Sequence, residues 1–203
     1  MANNDLQAQF GDLDIYLFDQ LLRGRLTPGM RVFDAGCGGG RNLVYLLRQG
    51  YQVCGNDGNP VAIAQVQAMA AELAPGVPTD FRVEAIEHTS FPASSADALF
   101  ASAVLHFARD DAHFAAMLQA MWRVLRPGGL FFARLASTIG MEQQVRALGG
   151  GIYRLPDGSN RYLVDAATLF DWTARLGGEL IDPLKTTVVH EHRSMTTWVA
   201  RRQ

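Results

Sequence analysis

The sequence predicts a doubly wound α/β sheet of seven strands, mostly parallel, with an antiparallel hairpin near its C-terminal end. Three observations predict it: β-rich runs alternate with amphipathic runs, a glycine-rich loop joins the first such pair, and only four residues separate the last two β-rich runs. Alternating strands and helices favour parallel strands joined by right-handed crossovers. Four residues are too few for a crossover, so the last pair must turn back on itself.

Leu6, Phe10, Leu13, Leu17 and Leu21 recur at helical spacing and predict one leading helix, ended by Pro28-Gly29. A strand over 31–35, the glycine loop, and a helix over 40–49 follow, with Gly50 suited to end that helix. A second strand over 51–57 precedes a helix over 60–73, opened by Pro60 and stopped by Pro75-Gly76-Val77-Pro78. Strands over 81–85 and 97–102 come next. A helix over 110–125 turns Phe114, Met117, Leu118, Met121 and Trp122 inward, and Pro127-Gly128-Gly129 turns the chain into a fifth strand over 130–136. A helix over 165–176 leads to the hairpin strands over 179–189 and 194–200. Between the fifth strand and this helix, Gly149-Gly150-Gly151 and Pro156-Asp157-Gly158-Ser159-Asn160 mark a long irregular segment of the functional or mobile kind.

With 203 residues, 48% of them hydrophobic and 19% charged, the chain reads as one domain. It divides into a helical cap over 1–28, a core over 29–136, an irregular segment over 137–164, and a closing helix and hairpin over 165–203. A net charge of -2 speaks against nucleic acid as a partner, and the lack of a leader or a long apolar run against a membrane, so a cytoplasmic protein is expected. Cys37 and Cys54 have no partner at ligand spacing, which predicts neither a disulfide nor a metal site.

In a doubly wound sheet the first β-α loop lies where ligands bind. Gly36, Gly38, Gly39 and Gly40 remove side chains there, and the helix after them would offer free N–H groups to an anion. Arg41 stands where a dinucleotide loop needs its third glycine, and Asp34 would repel a pyrophosphate. S-adenosylmethionine matches these charges better. Its ammonium suits Asp34, its carboxylate suits loop N–H groups with Arg41 or Asn42, and its ribose hydroxyls suit Asp57, 23 residues beyond Asp34. The alternative for Asp57 is a cap for the helix beginning at Pro60.

Val32-Phe33-Asp34-Ala35-Gly36-Cys37-Gly38-Gly39-Gly40, Val53-Cys54-Gly55-Asn56-Asp57, Val104-Leu105-His106 and Arg123-Val124-Leu125-Arg126-Pro127-Gly128-Gly129 stand in order along the chain. Together they resemble the motifs of class I S-adenosylmethionine-dependent methyltransferases with their Rossmann-like fold. The small-molecule group of the ubiquinone-biosynthesis type is most similar, and Gly40-Arg41-Asn42-Leu43 is also similar to tellurite-resistance methyltransferases. The resemblance implies S-adenosylmethionine as cofactor, S-adenosylhomocysteine as product, and cofactor contacts from Gly36, Cys37, Gly38, Asp57, Gly58, Ile86, Glu87, Ser102 and Ala103. Ala85 stands where that group usually carries an aspartate, which leaves Glu87 as the nearby acid.

Methyl transfer from a sulfonium depends chiefly on alignment, and a base helps only when the acceptor must lose a proton. His106 is the best-placed candidate base, with a structural histidine as the alternative. Tyr16, His106, Arg134 and Ser137 are candidate acceptor contacts. An arginine within Phe131-Phe132-Ala133-Arg134-Leu135 needs an anionic partner, either the acceptor or a loop carboxylate such as Asp157 or Glu142. The expected activity is methylation of a small molecule, anionic if Arg134 meets it. A sensor module without turnover and a nucleic-acid methyltransferase are the alternatives.

Overall fold

The structure is a computed structural model that describes the backbone of residues 2–203 and the side chains from residue 6 onward. Two short helices lead, α1 (Ala2–Phe10) and α2 (Ile15–Leu22), where the hydrophobic stripe predicted one. The break has a local cause. Gly11 adopts a left-handed conformation at φ 62°, and the Asp14 carboxylate accepts the Tyr16 N–H at 3.0 Å, starting a new helix with its own N-cap.

Strand β1 (Arg31–Ala35) runs into the glycine loop, and α3 (Val44–Arg48) begins four residues later than expected and spans five. Gly38 and Gly40 sit at φ 52° and 85°, and the stretch before α3 is spent in turns such as Gly40 N–H to Cys37 O. β2 (Gln52–Asp57) and α4 (Pro60–Leu73) follow, and Asn59, not Asp57, caps α4 by accepting the Val61 N–H. β3 (Asp80–Val83) ends before Ala85, because a 3-10 turn at Ile86–His88 takes over. β4 (Ala96–Ser102), a 3-10 turn at Leu105–Phe107 and α5 (Asp111–Val124) lead to β5 (Leu125–Ala136). Pro127-Gly128-Gly129 lies within β5 as a bulge: Ala96 pairs with Leu125, but Ala98 pairs with Leu130.

The segment expected to be irregular is a small antiparallel sheet, β6 (Arg146–Gly149), β7 (Ile152–Arg154) and β8 (Asn160–Tyr162). Its turns are the glycine run and Pro156-Asp157-Gly158, whose composition marks a loop but which serve here as hairpin connections. After α6 (Ala166–Arg175), the run expected as one strand splits at Asp182-Pro183 into β9 (Gly178–Leu180) and β10 (Lys185–Val189) before β11 (Arg193–Arg202).

The large sheet runs β10-β11-β5-β4-β1-β2-β3, with β9 also paired to β11. β3, β2, β1, β4 and β5 are parallel, and β11 enters antiparallel between β5 and β10, as the short hairpin requires. Neighbouring residues face opposite layers: Phe33, Leu99, Phe131 and Trp198 meet α5 and α6, while Val32, Phe100, Phe132 and Val199 meet the layer of α2, α3 and α4. The order reverses between β1 and β4, so the loops after these two strands diverge and leave a crevice at their carboxyl ends. No helix among the described residues is long and apolar enough to cross a membrane.

Asp14 fastens the leading helices over that crevice. Its backbone N–H donates to Asn42 Oδ1 at 3.1 Å, and its Oδ2 accepts from Arg134 at 3.1 Å and from Ser102 Oγ at 3.3 Å. The Asp14 side chain is 1% exposed and that of Arg134 26%. Removing one partner of a buried ion pair leaves the other without its counter-charge; after a discount for the part-exposed guanidinium, Asp14→Ala is expected to cost about 2–3 kcal/mol. The urea midpoint should fall with the slope of the transition unchanged. An unaltered midpoint would mean that water replaces the carboxylate without loss.

Candidate active site

Asp34, at the carboxyl end of β1, is buried, and its carboxylate has no hydrogen-bond or ion-pair partner among the described residues. Burial raises its pKa to about 7, against the pull of the Arg41 charge and with a further push from Asp57. A buried carboxylate left this way is suited to a cation arriving from outside. The glycine loop crosses above it. A Cβ on Gly36 would come within 2.8 Å of Val104, and one on Gly40 within 2.7 Å of Val66, so both positions must lack a side chain. Gly38 and Gly58 face open space instead.

Asp57 holds the rim of this space. Its Oδ2 accepts the Gly38 N–H at 3.0 Å and its Oδ1 the Asn59 N–H at 2.8 Å, leaving a further lone pair on each oxygen. The helix-cap alternative passes to Asn59, and Asp57 orients the loop that faces it. Together with Gly36, Gly58, Ala85, Ile86, Glu87 and Val104, it lines a cleft of about 350 Å³. Burial pushes the Glu87 carboxyl up, but its own backbone N–H, His113 and Arg109 outweigh this and hold it below the usual range. The His113 Nε2 lies 2.9 Å from Glu87 Oε1. A nucleoside with an amino-acid tail fits these residues: Asp34 offers a carboxylate without a partner, Asp57 offers acceptors, and the glycines leave backbone bare.

Four expected contacts are differently employed. Cys37 is buried, its N–H bonds to Asn56 O, and burial pushes its thiol up, so it underlies the loop. Asn42 is buried and accepts the Asp14 N–H. Arg41 donates to Ser102 Oγ at 2.8 Å, which ties the loop to β4 and engages both side chains. Carboxylate recognition at a helix N-terminus also loses its basis, because the five-residue α3 begins only at Val44.

A second cleft, of about 290 Å³, adjoins the first, and Ala103 and Phe107 line both. Ala103 sits at φ 64°, a conformation that a residue with a Cβ rarely adopts, and its N–H bonds to Arg134 O at 2.8 Å. His106 faces the second cleft with its Nδ1 accepting the Ala136 N–H at 3.4 Å. Burial and, secondarily, the Arg161 charge lower its pKa to about 4. A neutral imidazole that accepts at Nδ1 carries its proton on Nε2, so this geometry suits a donor better than the expected base.

Arg134 also lines the second cleft, but its ionic partner is Asp14, neither Asp157 nor Glu142. Its guanidinium lies 5.4 Å from the Tyr16 ring centre, and its Nε is buried without a partner. Tyr16 is turned to Thr187, with the two hydroxyls 2.6 Å apart. Ser137 is 1% exposed and bonds Thr196 Oγ1 at 2.7 Å, which places it inside the strand packing and off the cleft. From the sequence, Asp14 and Arg193 pass unnoticed and Arg161 reads as a solvated loop residue, whereas β8 carries it, half-buried, to the second cleft. Asp14 was detectable as a helix N-cap of the Asp-x-x type just before an apolar run, but the continuous leucine stripe hid the break.

Residues 33–133 match the family model of the methyltransferase domain. A ubiquinone biosynthesis O-methyltransferase of Methylobacterium sp. (strain 4-46) is 38% identical over 105 residues, 52% of this chain and 40% of that protein. The chain spans about half the length of the curated relatives it matches. Among solved structures, a SAM-dependent methyltransferase of Methanosarcina mazei superposes with a TM-score of 0.70 at 21% identity, covering 90% of this chain and 96% of that one. The 1,6-didemethyltoxoflavin-N1-methyltransferase of Burkholderia thailandensis, with its bound substrate and S-adenosylhomocysteine, gives 0.71 at 18% identity, over 100% of this chain and 83% of that one. These two likenesses concern the fold. The family match falls on the stretch from β1 to β5 that builds the first cleft, and over this stretch, about half of its length, the chain belongs to the methyltransferase-domain family of S-adenosylmethionine-dependent methyltransferases.

Proposed function

We propose that this chain moves the methyl group of S-adenosylmethionine onto a small anionic molecule held in the second cleft. The observation that carries this reading is the meeting of the two clefts at Ala103 and Phe107, at the carboxyl end of β4. A cofactor in the first cleft and an acceptor in the second would face each other across that boundary. When bound, the cofactor supplies an electrophilic methyl carbon on a positively charged sulfur. In an in-line displacement the acceptor atom forms its bond to carbon as the carbon–sulfur bond breaks, and the electron pair leaves with sulfur as a thioether.

The chain's own part is alignment and field. Asp34 would pair the ammonium, Asp57 would accept from the ribose hydroxyls, and Ile86 and Glu87 would flank the base; Ala103 and Phe107 would separate the reactants by little more than contact distance. The guanidinium groups around the second cleft favour an acceptor that has already lost its proton, so no strong base is required. His106 would serve by donating from Nε2 to the acceptor. Incubating the protein with S-adenosylmethionine and a panel of small acids and their neutral analogues should release S-adenosylhomocysteine with some of the acids; binding without release by any acceptor would favour a sensor module.

Asp57→Ala is expected to weaken S-adenosylhomocysteine binding by about 1.5–3 kcal/mol, the span for hydrogen bonds involving a charged group. The α4 helix should keep its stability, because Asn59 caps it. Calorimetry and thermal melting of the variant measure the two effects separately, and a lower melting temperature with unchanged affinity would move Asp57 from the site to the scaffold.

Asp34 gives a pH dependence. Its ligand-free pKa of about 7 lies above the ordinary value of 3.8, so the native chain holds an extra proton between roughly pH 4 and 7 and this group's contribution to stability falls as pH rises through that window. A bound ammonium favours the ionised form. S-adenosylhomocysteine affinity should therefore weaken on going from pH 8 to 6, approaching about tenfold per pH unit below the pKa. Asp34→Asn should bind weakly and lose that slope; a slope retained in the variant would assign it to another group.

A further inference from the structure

Arg134, Arg161 and Arg193 converge on the second cleft from β5, β8 and β11, and Asp157 is the one carboxylate that lines it. Their charges are not equally free. Arg134 is paired with Asp14. Asp157 is turned into its own loop, where Oδ1 accepts the Ser159 N–H at 2.8 Å and the Ser159 hydroxyl at 2.7 Å. Arg161 and Arg193 have no carboxylate within 4.0 Å among the described residues. Arg161 is half-buried and held in place: one guanidinium nitrogen donates to Asn160 O at 2.8 Å, and the group lies 5.1 Å from the centre of the Phe107 ring. Leu155, Ala136, Val189 and Met195 supply an apolar wall beside these charges.

Two guanidinium groups line one small cleft whose carboxylate, Asp157, is held by its own loop and forms no ion pair with either, and an anion entering between them would gain charge-assisted hydrogen bonds from both. We infer that Arg161 and Arg193 determine acceptor specificity by taking the acceptor's carboxylate or phosphate group, with its apolar body against Leu155 and Met195. Arg134, neutralised by Asp14, shapes the cleft instead of selecting charge. This assignment rests on the methyltransferase reading, in which the second cleft holds the acceptor. It moves the selecting charge off the strand that carries Arg134 and onto the small sheet and the final hairpin.

The inference is tested on the full chain saturated with S-adenosylhomocysteine, titrated with 2-naphthoate, 2-naphthyl phosphate and the neutral isostere 2-naphthamide. At least one of the two anions should bind about tenfold or more tightly than the amide, the effect expected of a charge-assisted contact. The tighter of the two identifies the head group. Arg161→Gln and Arg193→Gln should each weaken the anions about fivefold, leave the amide unchanged, and together abolish the preference. Equal binding of all three probes, no binding of any, or a preference that survives the double variant and vanishes in Arg134→Met would overturn the assignment. The S-adenosylhomocysteine affinity of each protein is measured first. Its absence in the unaltered chain would defeat the methyltransferase reading itself, whereas its retention without anion preference would defeat only the role of Arg161 and Arg193.

Discussion

The buried carboxylate of Asp14 ties together the parts of this protein that would otherwise be free to separate at the site. It caps α2, receives Ser102 from the end of β4, and pairs with Arg134 near the end of β5, while its backbone is held by Asn42 of the glycine loop. A carboxylate in this setting must have its oxygens satisfied, and each of its partners comes from a different element. The leading helices are therefore fixed over the crevice by a polar network whose members depend on one another. The apolar contacts of Leu17 with the sheet supply attraction without direction; the hydrogen bonds around Asp14 supply register.

That network also assigns the charges of the site. Because Asp14 balances Arg134, the groups left without an ion pair among the described residues include Asp34 and Asp57 at the first cleft and Arg161 and Arg193 at the second. The first cleft thus offers carboxylates and the second guanidinium groups, with Ala103 and Phe107 between them. Under the proposed function, such separation would suit transfer from a cationic donor to an anionic acceptor, each ligand being drawn to its own cleft.

The two halves of the site have different origins within the chain. The first cleft, proposed for the cofactor, is built inside residues 33–133, the stretch that matches the methyltransferase domain. The second cleft takes only Ala103, His106 and Phe107 from that stretch; its other lining residues follow from Arg134 onward, in β5, the β7–β8 turn, β8 and the β10–β11 hairpin. Shared ancestry therefore speaks to the donor, and the local structure of the later segment speaks to the acceptor. One scaffold can serve many methylations by changing this second part alone.

The sequence alone determined the alternation of strands and helices, the glycine loop, and the placement of Asp34 and Asp57 at the ends of the first two strands, because each rests on short-range chemistry: periodicity, left-handed glycines and the side-chain direction at a strand end. It also determined the antiparallel return of the last strand, through the shortness of the connection. Tertiary structure decided the rest. The break at Gly11, the partner of Arg134 and the convergence of Arg161 with Arg193 all depend on residues that are far apart in the chain, 120 positions in the case of Asp14 and Arg134. The three-stranded sheet was hidden for a related reason: its strands are three or four residues long, and their glycine and proline turns look like those of a loop until the strands pair. Local patterns record which element forms, but a charge acquires its partner only when folding brings the two together, and at this site the partners decide which residues remain free to meet a ligand.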